Sequence, residues 1–240
     1  MKSSLIDFGR FATTREYDVS IIKEVHRYEE MLADFGVTYE GAVVLDLGAH
    51  KGFFTRRALD MGAAKVVAVE PSSENLRTLR KNGRGATIIH GVCCGWGGGS
   101  VMLTKSARMR SDAAYSVARA SSGRVDVERV PVYSFSELVQ AHGVQLVKMD
   151  FQGSEWGVFS QPIPDSVRVM FGELHYSGAF QVTPDGATLH PLRQRARAVQ
   201  VLGGLRAAGF RLHFRRARQW RRGLPPQGAK TWFEDVVFLR

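Results

Sequence analysis

Apolar residues in the first third of the chain come in short unbroken runs, the pattern of strands buried on both faces. Val43-Val44-Leu45 is one such run and Val66-Val67-Ala68-Val69 the next. Between them, Phe53 to Met61 repeats at helical spacing behind a tight turn carrying Gly48 and Gly52. Strand, glycine turn, helix and strand make a βαβ unit. The same reading predicts further strands over 86–94, 101–104, 125–133, 145–149, 167–174, 210–214 and 232–239. It predicts helices over 18–36, 73–82, 135–141, 154–159 and 192–208, with Gly36, Gly83 and Gly209 as stops. Strands alternating with helices imply a doubly wound, seven-stranded, Rossmann-like α/β domain. We divide the chain into an N-terminal capping-helix region, 1–40, and the α/β domain, 41–240. The stretch 105–124 is polar and aperiodic, and reads as a substrate loop or a connector. There is no internal repeat.

Composition narrows the classes. No apolar run is long enough to span a bilayer, and the opening MKSSLIDFGRFATTREYD is too polar for a secretory signal, so a cytoplasmic protein is expected. Cys93 and Cys94 are adjacent, which suits neither a relaxed disulfide nor a zinc site. The net charge is +10, and no acid occurs between Asp185 and Glu234. That stretch holds Arg193, Arg195, Arg197, Arg206, Arg211, Arg215, Arg216, Arg218, Arg221 and Arg222. Such a field attracts anions, either small acceptors or, weakly and without sequence preference, nucleic acid. A solvated arginine-rich face is the plainer reading of the same residues.

Two acids bracket the βαβ unit: Asp46 ends the first strand and Glu70 the second. An acid at the second position suits the hydroxyls of a ribose. The turn Gly48-Ala49-His50-Lys51-Gly52 lacks the middle glycine of the dinucleotide fingerprint. A carboxylate just ahead of it would repel pyrophosphate and suit the cationic amino-acid end of S-adenosylmethionine. The expected cofactor is therefore S-adenosylmethionine. Its expected contacts are Asp46, Gly48, Ala49, His50 and Gly52 at the methionine end, and Glu70, Pro71 and Ser72 at the ribose. Val92 and Cys93 would flank the adenine, and Asp150 would face the transferring methyl. Glu173 and His175, ending the fifth core strand, are candidate bases alongside Asp150. A histidine titrates near neutral pH and so can take a proton. No His/Asp/Glu group shows ligand spacing along the chain, so no metal is expected.

The segment Asp46-Leu47-Gly48-Ala49-His50-Lys51-Gly52-Phe53-Phe54-Thr55, followed by Val69-Glu70-Pro71 and Asn75-Leu76, resembles the core of the FkbM-type S-adenosylmethionine-dependent methyltransferases. Val147-Lys148-Met149-Asp150-Phe151-Gln152-Gly153-Ser154-Glu155 resembles that family's lysine-x-aspartate-x-glutamate-glycine-x-glutamate signature. His50, Ser136 and Gln152 depart from it, standing where asparagine, aspartate and glutamate are usual. The resemblance spans about residues 17–180. It implies strand order 3-2-1-4-5-7-6 with the last strand antiparallel. It also implies methyl transfer to a hydroxyl of a sugar, polyketide, peptide or lipid-like metabolite. Two other readings stay open. One is a nucleic-acid methyltransferase using the arginine stretch with Trp220 and Trp232. The other is a cofactor-binding module without chemistry, suggested by Gln152.

Overall fold

The computed structural model describes residues 17–106, 115–116, 124–150, 154–175, 191–214 and 233–240. Helix α1 (Tyr17–Ala33) precedes strand β1 (Val43–Leu47), helix α2 (Phe53–Asp60) and strand β2 (Lys65–Glu70). Helix α3 (Ser73–Asn82) starts where the Ser72 hydroxyl accepts from the Asn75 amide, an N-cap that satisfies one of the free first-turn donors. Strands β3 (Thr87–His90), β4 (Val92–Cys94), β5 (Ser100–Ser106), β6 (Tyr115–Ser116) and β7 (Arg124–Ser134) follow. Ser134 caps α4 (Phe135–His142) in the same way, and Gly143, at φ 66°, closes it. Then come β8 (Leu146–Met149), α5 (Glu155–Phe159), β9 (Val169–His175), α6 (Pro191–Ala207), β10 (Arg211–Phe214) and β11 (Phe233–Leu239). No helix among the described residues is long and apolar enough to cross a membrane.

Seven strands form the main sheet in the order β10-β11-β9-β8-β1-β2-β3. Renumbered along the sheet's own strands, this is 3-2-1-4-5-7-6, the expected order. Strands β3, β2, β1, β8 and β9 run parallel, and β11 runs antiparallel to both β9 and β10. Alternation along each strand builds a core on each face. Leu45, Leu47, Val67, Val69, Val147 and Met149 pack under Trp156 and the buried face of α6. Val44, Val66, Leu146 and Phe171 pack with Ile22, Val25 and Tyr28 of α1 and Phe53 and Phe54 of α2. Tyr28 is fully buried and meets Phe171 edge to face at 5.9 Å. Gly172, at φ 130°, lies opposite Met149, and a β-carbon there would come 2.0 Å from the Met149 carbonyl oxygen. Only glycine lets β8 and β9 approach so closely at their carboxyl ends.

Two charge pairs are built into the sheet by register. Asp46 of β1 is the direct partner of Lys148 in β8, and both side chains are buried. Their oxygen and nitrogen lie 3.3 Å apart, and Thr55 of α2 donates to the other Asp46 oxygen at 2.6 Å. Burial opposes the charge on Lys148, but Asp46, Asp150 and Glu24 outweigh it and raise its pKa. Farther along, Glu173 of β9 faces Asp235 of β11, two acids directly opposed in an antiparallel pair. Arg27 reaches in from α1 and meets both, at 3.0 and 3.1 Å, so the first helix supplies the countercharge.

The expected single strand over 86–94 is instead two. Gly91, at φ 154°, turns the chain out of the main sheet after His90. A side chain there would strike the Pro131 carbonyl at 2.6 Å. Strand β4 then joins a second sheet in the order β4-β7-β5-β6. The apolar run continues through the bend, so periodicity alone cannot reveal it. Strand β7 likewise extends past the expected 125–133 at both ends. The stretch expected to form a substrate loop lies largely outside the described residues.

Removing the cation of the buried pair should be costly. Lys148→Met leaves Asp46 without its counterion, and breaking a buried pair typically costs about 3–5 kcal/mol. Urea denaturation should show a loss of that order, and a smaller loss when Asp46→Leu is added. Equal stability of Lys148→Met and the parent would refute this role for the pair.

Candidate functional site

In parallel α/β sheets ligands sit beyond the carboxyl ends of the strands. At that edge β1 leads into the Gly48–Gly52 turn, in which Gly48 and Gly52 have φ 75° and 82° and His50 has φ 51°. The amides of Gly48 and Ala49 both donate to the Val69 carbonyl, at 3.1 and 3.0 Å, and that of Gly52 donates to Ala49. The His50 amide donates to Glu70 Oε2 at 2.8 Å. These four N–H groups are thus spent on the chain itself, so the turn is not the amide cradle that a pyrophosphate requires. Gly52 serves packing: a β-carbon there would lie 2.6 Å from Leu79 Cδ1. From below, Lys148 Nζ donates to the Gly48 carbonyl at 2.9 Å and so ties the turn to β8.

Glu70 is almost fully buried. Its Oε1 accepts from the Ser72 amide at 2.9 Å and from Asn75 Nδ2 at 3.1 Å. Burial raises its pKa, against these hydrogen bonds and the nearby His50. Among the described residues the two Glu70 oxygens together accept three hydrogen bonds. The Gly91 amide donates to the Glu70 carbonyl at 3.1 Å, which sets Val92 beside this corner. A buried acid next to a turn unsuited to phosphate fits S-adenosylmethionine.

The second part of the edge is an acid–imidazole cluster. Asp150 follows β8, its amide bonded to the Leu47 carbonyl at 3.1 Å. Glu173 and His175 lie two apart at the end of β9, and two-residue spacing puts strand side chains on one face. One donor atom from each of Asp150, Glu173 and His175 lies within 4.8 Å of the others. His175 Nε2 is 3.4 Å from Glu173 Oε2 and 3.8 Å from Asp150 Oδ1. His175 Nδ1 lies 2.9 Å from Oε1 of Glu155, which is fully buried. Trp156 Nε1 donates to the His175 carbonyl at 2.6 Å, anchoring the strand end to α5. Burial alone would depress the imidazole pKa, but Glu155, Glu173 and Asp150 outweigh it and hold it well above its ordinary value. The three carboxylates thus favour the protonated imidazole. Asp150, 20% exposed, is the most open member of the cluster.

Helix α1 completes the surroundings. Tyr28 donates to Glu24 at 2.5 Å. Burial, reinforced by Asp150 and Glu173, pushes the Glu24 carboxyl up to about 8. Burial likewise raises Glu173.

The anticipated residues divide into groups. Asp150, Glu173 and His175 come together, and so do Gly48, Ala49, His50, Glu70 and Ser72. Asp46 points into the sheet and is engaged by Lys148 and Thr55. The Ser72 side chain caps α3, and the Pro71 carbonyl lies 3.0 Å from His90 Nε2. Val92 packs in the core of the second sheet and Cys93 in the main core, where burial raises its thiol pKa. Gln152, Trp220, Trp232 and the arginines from Arg215 to Arg222 lie outside the described residues. Sequence reasoning gave no role to Lys148, Glu24 or Arg27. A lysine between Val147 and Met149 in a doubly buried strand was a signal, because it needs an acid beside it. Glu24 and Arg27 carried none, since helical spacing reports the apolar face alone.

The family model described as Methyltransferase FkbM domain matches residues 46–212, more than half of the chain. No curated protein matches it. Among solved structures, it resembles precorrin-6y C5,15-methyltransferase from Geobacter metallireducens GS-15, with 12% identity over 98% of this chain and 96% of that one, at a TM-score of 0.48. It also resembles fibrillarin from Aeropyrum pernix, in complex with natively bound S-adenosyl-L-methionine, with 14% identity over 90% of this chain and 76% of that one, at a TM-score of 0.45. Both likenesses are too distant to bear on its chemistry. The family match spans the glycine turn, Glu70 and the Asp150–His175 cluster, so the chain belongs to the FkbM methyltransferase family and uses S-adenosylmethionine as its cofactor.

Proposed function

We propose that this methyltransferase acts on oxygen, methylating a hydroxyl of a small molecule such as a saccharide-like metabolite. The observation that carries this reading is the Asp150–Glu173–His175 cluster at the ligand edge. A hydroxyl is a weak nucleophile until its proton has somewhere to go, and a carboxylate at the reacting atom supplies that place. Bound S-adenosylmethionine supplies a methyl group already activated on sulfur. Glu70 would hold the ribose, and the Gly48–His50 turn would lie along the methionine end. Asp150 is the group that reaches outward, so it orients the acceptor and takes its proton. Asp150 would receive the hydroxyl proton as the acceptor oxygen takes the methyl group, the cofactor leaving as its demethylated sulfide. His175 lies between Asp150 and Glu173, 3.8 and 3.4 Å from their oxygens, and holds the two acids in place. The basic C-terminal stretch would favour an anionic acceptor.

Four outcomes are expected. Calorimetry should show binding of S-adenosylmethionine and not of NAD. Glu70→Gln should weaken that binding by about 1.5–3 kcal/mol, the worth of a hydrogen bond to a charged group; an unchanged affinity would remove Glu70 from the ribose. With labelled cofactor and a panel of hydroxyl acceptors, mass spectrometry should place the methyl on oxygen. In the same assay Asp150→Asn should lower turnover by about 10²–10⁴-fold at little cost to cofactor affinity. Methyl transfer to an oligonucleotide, with tight sequence-selective binding, would replace this reading by the nucleic-acid one.

A further inference from the structure

We propose that Asp150, Glu173 and His175 form a binding site for a divalent metal ion. Its donors come from the residue that follows β8 and from the end of β9, neighbouring strands of the main sheet, so their spacing along the chain does not resemble a ligand motif.

The donor atoms have the spacing an ion needs. Bonds of ~2.0–2.2 Å place neighbouring donors roughly 3.0–3.6 Å apart. The His175 Nε2 separations of 3.4 Å to Glu173 Oε2 and 3.8 Å to Asp150 Oδ1 need only a small contraction. The set is also mixed, one imidazole and two carboxylates, which suits a first-row divalent cation better than a purely oxygen-seeking one.

The surroundings have the form of a supported site. A ligating histidine commonly bonds a carboxylate through its other ring nitrogen, which fixes which nitrogen faces the metal. Glu155, fully buried on α5, does this to Nδ1 at 2.9 Å and turns Nε2 toward Asp150 and Glu173. Glu173 is held likewise: Arg27 takes its Oε1 at 3.0 Å, and Oε2 is the oxygen facing the imidazole. Two of the three ligands are buried, and Asp150 opens to solvent, which gives an ion its entry and leaves a position for a further oxygen. In the ion-bound form Nε2 carries no proton, and the dication supplies the positive charge among the acids. Ion binding stands apart from the hydroxyl-acceptor reading; only the ion's use, to hold the acceptor oxygen, rests on it.

The test uses the full chain, stripped with a chelator and dialysed, and Mn²⁺ as the probe. Electron paramagnetic resonance of free Mn²⁺ should show one ion bound per chain, and pulsed measurement on the parent protein should show coupling to an imidazole nitrogen. Asp150→Asn and Glu173→Gln should each weaken binding at least about 10-fold, and Glu155→Gln by about 10–100-fold through the imidazole. Circular dichroism melting checks that each variant is folded, and the nitrogen coupling needs no variant at all. Absence of stoichiometric binding, absence of nitrogen coupling, or affinity unchanged in folded variants would overturn the site. Methylation of a hydroxyl that survives the chelator, with no Mn²⁺ bound, would sink the metal site and leave the proposed function standing. Mn²⁺ bound without transfer to any hydroxyl would do the reverse.

Discussion

Asp46 and Lys148 face each other on the two central strands, in a part of the sheet that water does not reach. A buried charge is tolerable only with its opposite and with hydrogen bonds on its remaining positions. Thr55 completes Asp46 from the helix above, and the Gly48 carbonyl completes Lys148. The pair therefore joins β1, β8, α2 and the glycine turn at one point. Arg27 applies the same rule farther along, drawing α1 onto the opposed acids of β9 and β11. The helix ahead of the sheet is thus bound to it by charge as well as by the apolar packing of Tyr28 and its neighbours.

That constraint shapes the ligand edge. The Gly48–Gly52 turn spends its polar groups inward: four of its amides and the carbonyls of Gly48, Ala49 and Lys51 are bonded within the chain, and the buried Glu70 lies beside it. A turn of this kind beside a carboxylate disfavours phosphate and suits a sulfonium cofactor. The acids on the neighbouring strands make a second, more anionic half, joined to the cofactor corner where the Asp150 amide donates to the Leu47 carbonyl.

The strand order was legible because the residues around the glycine turn and after Lys148 carry a recognisable pattern, and the buried runs set the strand positions. Glu70 and Asp150 were legible as acids that end strands. The role of Asp46 was not: its spacing suggested a ligand contact, whereas register gives it a lysine partner about a hundred residues later, a relation no local pattern contains. His175 was found as a titratable group at a strand end, but its charge state depends on Glu155, and which neighbours share a pocket is a property of the folded chain. The second sheet stayed hidden because Gly91 interrupts an apolar run without changing its composition. Glu24 and Arg27 act through a helix face that apolar spacing treats as solvent.

The tie between Lys148 and the Gly48 carbonyl spans 100 positions of sequence, which bears on how the protein is made. Residues leave the ribosome in order, so β1, β2 and β3 emerge long before β8. Until then Asp46 has no cation beside it, and β1 has an unpaired edge in the middle of what will be the sheet. Non-local pairing of this kind closes late, after the entropy of a long loop has been met. The N-terminal half is therefore a poor independent folding unit, and a nascent chain stalled before Lys148 would expose two apolar sheet faces and an open strand edge, the features that recruit chaperones.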